Sequence, residues 1–155
     1  MEQIKWPFLK QTWGIEFESS KGAYLFTKDG RKILDAAGGA IVNNIGYGRE
    51  EVAEAISKAV INNSYILPPF LTPEREALLD ELRNHWLPPH LTRIHLSSGG
   101  SEANESAVKL AIQYQASRGK PEKNIILTRS LSYHGTTLNM SGISGHEARK
   151  RGLES

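Results

Sequence analysis

The sequence predicts an α/β fold with a mostly parallel sheet, and three observations lead to this class. A short candidate strand at 94–97 is followed by a turn of serine and glycine, a helical pattern covers 102 to about 117, and a second candidate strand occupies 124–128. Strand, helix and strand within about 35 residues make a βαβ crossover, which requires parallel strands and a right-handed connection. The length of 155 residues allows one compact domain.

The composition excludes several classes of function. Nineteen basic and 17 acidic residues leave a net charge of +2, so no electrostatic field favours a nucleic-acid or membrane partner. The absence of cysteine excludes disulfides, thiolate nucleophiles and Cys-ligated zinc, and is compatible with a reducing cytosol. The first residues are charged where a signal peptide needs an apolar run, and no stretch approaches the ~18 apolar residues of a membrane helix. We therefore expect a cytoplasmic protein.

A hairpin and a glycine-rich loop are predicted in the first third of the chain. Strand-forming residues fill 23–27, the pair Asp29-Gly30 favours a tight turn, and 33–34 lie in the return strand. The loop at 37–48 is rich in glycine, which indicates left-handed turns or a close backbone approach.

Three helices are predicted from apolar spacing and capping residues. The first covers Glu50 to about Asn62, and the second begins with Thr72 as its N-cap and is stopped by Pro88 and Pro89. The third, at 102–117, carries a face of small and apolar residues that we expect to pack closely against a sheet. This face consists of Ala103, Ala107, Leu110, Ala111 and Tyr114.

Two segments are predicted to meet at the edge of the sheet where the parallel strands end. In the first, 98–102, glycines let backbone N–H groups approach an anion, the helix dipole favours negative charge, and Ser101 supplies a hydroxyl. These features suit a phosphate, although a simple turn with Ser101 as a helix cap explains the same residues. In the second, Tyr133 and His134 offer an aromatic face and an imidazole, and an ordinary surface loop is the alternative.

Other chemistries have weaker support in the sequence. The serines of 97–101 lack the Gly-x-Ser-x-Gly setting of a nucleophile elbow, which disfavours serine hydrolysis. The remaining histidines show no metal-ligand spacing, so we expect no metal site. These histidines are His85, His90, His95 and His146.

Residues 98–111, whose turn reads Ser98-Gly99-Gly100-Ser101-Glu102, resemble the phosphate-binding turn and helix of class III pyridoxal-phosphate (PLP) aminotransferases. This family includes the ω-amino-acid transaminases. The segment 132–137 resembles the family's cofactor-stacking segment, and 30–48 matches its N-terminal hairpin and glycine loop. The resemblance spans about residues 14 to 152.

The resemblance implies a PLP-dependent transferase of fold type I that is incomplete in this chain. Residues 1–70 would form a small N-terminal segment, and 71–155 the beginning of the large, mostly parallel-sheet domain that binds PLP. The relatives commonly read Ser-Gly-Ser-Glu, whereas this chain has Gly99 before Gly100, Ser101 and Glu102. The resemblance therefore leaves open, by one residue, which backbone N–H groups bind the phosphate.

The resemblance also implies a role for individual residues. The backbone N–H of Gly100 and both the N–H and the hydroxyl of Ser101 would hold the cofactor phosphate. Tyr133 would stack on the pyridine ring, and His134 would lie close to the cofactor with no proton-transfer role assigned. Ile41 falls where relatives often place an aromatic residue of the substrate pocket.

The implied activity is transamination between an amine or amino acid and a keto acid, in a homodimer whose region 38–65 helps to build the partner's site. The family's Schiff-base lysine and the aspartate that pairs with the pyridine nitrogen lie past residue 155, so we assign no catalytic residue. Aminomutases, racemases and decarboxylases share the phosphate and ring contacts. The alternative from another class is a truncated, non-catalytic α/β module that binds a phosphorylated ligand or dimerises.

Overall fold

The computed structural model describes residues 14–150, apart from the side chains of 148 and 149. The chain divides into two compact units, one ending at Leu78 and the other starting at Leu79. This division falls inside a helix, a few residues after the domain boundary that the sequence predicts at residue 70.

The first unit contains an antiparallel sheet of three strands in the order β1-β2-β3. The strands are β1 (Phe17–Lys21), β2 (Tyr24–Thr27) and β3 (Lys32–Leu34). β2 and β3 form the predicted hairpin, and Gly30 takes a positive φ of 84° in its turn. The sequence analysis missed β1, whose residues lack an alternation of apolar and polar side chains.

Three helices follow the sheet, of which the second and third were predicted, whereas the first lies in the segment predicted as a glycine-rich loop. They are α1 (Gly38–Ile41), which is short and kinked, α2 (Glu50–Asn62) and α3 (Pro73–Glu81). A π-helical turn, Leu82–Trp86, continues α3 and ends before Pro88. The predicted N-cap of α3 is confirmed, because the N–H of Arg75 donates to Thr72 Oγ1 at 3.3 Å.

The second unit is built around α4 (Gly100–Ser117), with α5 (Leu138–Ile143) and α6 (Glu147–Lys150). The predicted strands at 94–97 and 124–128 are wrong for the described residues, where both segments lack strand pairing. A strand needs neighbours that satisfy its backbone N–H and C=O groups, and consecutive strands of a βαβ unit are not always adjacent. Within residues 14–150 neither segment finds such a neighbour.

The described residues bury little apolar surface. Met140 on α5 is the only apolar side chain among them that is buried. The small-residue face of α4 is not covered by a sheet within 14–150, since Leu110 is 68% and Tyr114 54% exposed. None of the helices in this part of the chain has the length and apolar character needed to cross a membrane.

Candidate functional site

The N-terminus of α4 coincides with the predicted phosphate turn. Gly99 has extended backbone (φ −169°, ψ 170°) and α4 begins at Gly100. The first intrahelical bond runs from the N–H of Ala103 to the carbonyl of Gly99 at 3.0 Å. The N–H groups of 100–102 therefore precede the helical ladder, and the helix dipole places positive charge beside them. This arrangement suits an anion.

The turn and the segment 132–137 lie in contact, as the sequence analysis expects. The N–H of Thr136 donates to Ser101 Oγ at 3.0 Å. Gly135 lies directly against Ser101, with a positive φ of 145°, and a Cβ added to it would stand 2.6 Å from Ser101 Oγ. Because Ser101 Oγ accepts the Thr136 N–H, its own proton stays free to be donated to a ligand.

Two further residues of α4 bind the same segment. Asn104 Nδ2 donates to the carbonyl of His134 at 2.7 Å. The carboxylate of Glu105 accepts from Thr137 Oγ1 at 2.6 Å and from Asn139 Nδ2 at 3.2 Å. The Thr137 hydroxyl, followed by the Asn139 amide, lowers the pKa of Glu105 below its usual value, so Glu105 is ionised at neutral pH.

The two predicted ring-binding residues differ in their surroundings. Tyr133 is 57% exposed. His134 is half-buried, and its N–H donates to Ser144 Oγ at 3.0 Å. Its Nε2 atom is buried without a hydrogen-bond partner among the described residues. A buried imidazole nitrogen of this kind calls for a polar partner.

Sequence reasoning missed Asn104, Glu105, Thr137 and Asn139. A signal was present, because Ser101, Asn104 and Glu105 follow the i, i+3, i+4 spacing that places side chains on one helix face. That polar face is separate from the face of small and apolar residues on the same helix. The partners at 136–139 had no comparable local signal, since their contacts span more than 30 residues.

Ile41, the predicted pocket residue, lies in the first unit at the end of α1. Its φ is 64°, which is rare for a β-branched residue, and it is 80% exposed. Asp35 braces the loop that leads to it by accepting from the N–H of Gly39 at 2.7 Å and from the Tyr47 hydroxyl at 2.6 Å. Strain of this kind persists only where the surroundings hold the backbone in place.

The Asp35 brace predicts a pH-dependent loop. The hydrogen bond from Tyr47 is the main reason why the pKa of Asp35 is lowered, and the N–H of Gly39 adds to it. The stabilisation is therefore complete above the unfolded carboxyl pKa and is lost as the pH falls through the lower folded value. The same bond raises the pKa of Tyr47, so at alkaline pH the stabilisation is lost as the pH rises through that raised value.

We expect the hydrogen-exchange protection of the Gly39 N–H, corrected for intrinsic rates, to be constant from about pH 5 to 9 and to fall below about pH 4. In Asp35→Asn the protection should be lower and independent of pH in the acid range. An equal acid loss in this variant would contradict the assignment.

Metal binding finds no support in this part of the molecule. Within residues 14–150 no group of three or more His, Asp or Glu side chains is arranged to hold a metal ion. The site described above therefore consists of hydrogen-bond donors at a helix N-terminus with an imidazole and an aromatic ring nearby.

Comparisons with known proteins show the family to which the chain is similar. The family model described as "Aminotransferase class-III" matches residues 10–154. The "Probable aminotransferase Rv3329" of Mycobacterium tuberculosis is 39% identical over 125 residues, which cover 80% of this chain and 27% of the relative. The diaminobutyrate–2-oxoglutarate transaminase of Halomonas elongata is 33% identical over 136 residues, which cover 87% and 29%.

A solved structure supports the same conclusion. The transaminase from the marine bacterium Virgibacillus matches with a TM-score of 0.86 and 27% identity, covering 94% of this chain and 34% of its own. The chain thus spans about a third or less of the length of these proteins. The likeness confirms the predicted fold class, fold type I, and the chain belongs to the class III aminotransferase family.

Proposed function

We propose that this chain carries the phosphate and ring contacts of a PLP-dependent transaminase, which moves an amino group from an amine or amino acid to a keto acid. The observation that carries the proposal is the bond from the Thr136 N–H to Ser101 Oγ, since it joins the phosphate turn to the segment with Tyr133 and His134. The relative from Halomonas elongata is named for an amine-bearing donor and a keto-acid acceptor.

The residues present fit PLP. Three N–H groups at a helix N-terminus and one free hydroxyl proton form a donor set for a phosphate dianion. A Cβ built on Gly100 meets no atom within 4 Å, so the space above the turn is open to a ligand. The segment bound to the turn through Thr136 also carries His134, whose buried Nε2 has no hydrogen-bond partner among the described residues.

Each residue has a proposed task. The N–H groups of Gly100 and Ser101 and the Ser101 hydroxyl hold the phosphate, Tyr133 supplies a face for the ring, and His134 lies beside it. PLP, when bound, acts as an electron sink for the bond changes at the amine carbon. This chain positions the cofactor, and Ile41 would shape the substrate pocket. We assign no catalytic residue to it.

The proposal includes a homodimer and a cytoplasmic location. Few apolar side chains are buried among residues 14–150, which supports burial of the exposed ones against further polypeptide. A polypeptide that joins this chain to the remainder of a transaminase is called the complete protein. Light scattering of the complete protein tests the dimer.

The activity test uses the complete protein with PLP, an amine donor and a keto acid. We expect stoichiometric conversion of the keto acid to an amino acid at the expense of the donor, measured by chromatography. Binding of PLP without any transfer would favour the non-catalytic module instead.

Replacing the phosphate donors should weaken PLP binding. In the double variant Gly100→Val with Ser101→Ala, a side chain enters the open anion space, and the Ser101 hydroxyl is lost together with the bond that it accepts from the Thr136 N–H. We expect an at least tenfold loss of PLP affinity, about 1.4 kcal/mol, by fluorescence titration of the complete protein. Ser106→Ala on the same helix is the control. Unchanged affinity in the double variant would mean that the turn is only structural.

A further inference from the structure

The face of α4 next to the phosphate turn is a row of polar side chains that all bind one distant segment. Ser101, Asn104 and Glu105 lie on this face at helical spacing. Their partners all fall within 134–139, which lies well beyond the end of α4 in the sequence. Four hydrogen bonds therefore connect two rigid turns of helix to the residues that follow Tyr133.

Asn104 and Glu105 bind different kinds of group in the distant segment. The amide of Asn104 donates to a backbone carbonyl, so the contact fixes the main chain of His134 and not its ring. Glu105 accepts from two side-chain donors, Thr137 Oγ1 and Asn139 Nδ2, one to each carboxylate oxygen. Among the described residues Glu105 forms no ion pair, so neutral hydrogen-bond donors stabilise its negative charge.

His134 is held from both sides. Asn104 binds its carbonyl, and Ser144 Oγ accepts its N–H at 3.0 Å. Ser144 is itself buried and donates to the carbonyl of Met140 at 2.6 Å. The peptide units on either side of the His134 Cα are therefore restrained, which limits the directions that the imidazole and the preceding Tyr133 can take.

We propose that Asn104 and Glu105 are positioning residues, which hold segment 133–139 against α4 so that Tyr133 and His134 meet the cofactor in register with the phosphate turn. This inference rests on the proposed function. The helix N-terminus that donates to the phosphate and the side chains that hold the ring-binding segment then belong to one rigid element. A shift of about 1 Å between the phosphate contacts and the ring contacts is enough to reduce activity strongly. The hydrogen bonds of Asn104 and Glu105 prevent such a shift.

The test uses isosteric variants of the complete protein. Asn104→Asp keeps the side-chain shape but has no donor for the His134 carbonyl, and Glu105→Gln keeps the shape but loses the charge. Thr137→Val removes a donor to Glu105 from the other side and serves as a milder variant should either helix substitution impair folding. Glu122→Gln, in the turn after α4, removes an exposed carboxylate that has no contact with 133–139 and is the control.

Four measurements test positioning against simple stabilisation. We expect Asn104→Asp and Glu105→Gln to increase hydrogen exchange in 133–139 of the PLP-free protein and to change the visible circular dichroism of bound PLP, which depends on the geometry of the ring. PLP affinity should fall by about threefold to tenfold, and kcat should fall more than the KM for the amine donor changes. Glu122→Gln should change none of these. In addition, Glu105→Gln combined with Thr137→Val should have less than the sum of the single effects.

Other outcomes overturn the inference. If the variants only lower the melting temperature while the dichroism, the PLP affinity and the ratio of kcat to KM stay as in the parent, Asn104 and Glu105 are merely structural. If the parent protein itself binds no PLP, the proposed function fails and this inference fails with it. Binding by the parent with unchanged variants rejects the inference and leaves the proposed function standing.

Discussion

Gly145→Ala is expected to separate the chain around 129–132 from residue 145 and to destabilise the complete protein by about 3 kcal/mol or more. A Cβ at this position would overlap the carbonyl O of Arg129 and stand 2.5 Å from Leu131 N and 2.8 Å from Ser130 C. All three are backbone atoms, so no side-chain rotation relieves the overlap. The backbone must move.

The movement would break two hydrogen bonds that hold the loop before Tyr133. The N–H of Gly145 donates to the carbonyl of Ser132 at 2.9 Å, and the N–H of Leu131 donates to the carbonyl of Gly145 at 3.1 Å. We expect the hydrogen-exchange protection of both N–H groups to be lost and the denaturant midpoint to fall.

Gly142→Ala is the matched control for this prediction. Gly142 lies in α5, and a Cβ added to it meets nothing within 4 Å. Alanine is the better helix former, so this variant should be neutral or more stable by up to about 1 kcal/mol. If Gly145→Ala behaved like Gly142→Ala, the close approach of residue 145 to 129–131 would be contradicted.

Elements with a local cause could be predicted from the sequence. The bounds of α2 follow from apolar spacing between Glu50 and Asn62, and the hairpin from the Asp29-Gly30 turn, because in both cases the residues that decide the structure are neighbours in the chain. The start of α4 could be placed near residue 100 for the same reason, since glycines and Ser101 mark a helix N-terminus.

Elements that depend on distant partners could not be predicted from the sequence. The segments 94–97 and 124–128 have strand composition, but hydrogen bonding to a neighbouring strand decides whether a strand forms. Within 14–150 neither segment has such a neighbour. β1 shows the reverse, because pairing with β2 makes a strand of the unpatterned residues Phe17–Lys21.

The candidate site divides in the same way. The meeting of Ser101 with the segment after Tyr133 could be predicted, because glycine-rich turns of a parallel sheet gather at one edge. The bonds from Asn104 and Glu105 to that segment could not, since Asn and Glu on a helix surface are normally solvated and only the fold supplies their partners.

Gly135→Ala is expected to disturb the candidate site more than any other single methyl group. The added Cβ would lie 2.6 Å from Ser101 Oγ, 2.9 Å from Ser101 Cβ and 3.0 Å from Met140 Cβ, at a φ of 145° that alanine rarely adopts. Ser101 cannot turn away without losing the Thr136 N–H. We expect a destabilisation of about 2 to 4 kcal/mol and a loss of PLP affinity of at least tenfold, measured by denaturation and by titration.

A double-mutant cycle with Ser101→Gly separates the two causes. Ser101→Gly removes both Oγ and Cβ, so it should recover the part of the stability loss that comes from the overlap with Ser101. The backbone strain at residue 135 and the contact with Met140 would remain, and PLP affinity should stay low because the phosphate-binding hydroxyl is absent. Recovery of stability without recovery of affinity is thus the expected result. Strictly additive stability losses would mean that Gly135 does not press on Ser101, and full recovery of affinity would mean that the Ser101 hydroxyl does not hold the phosphate.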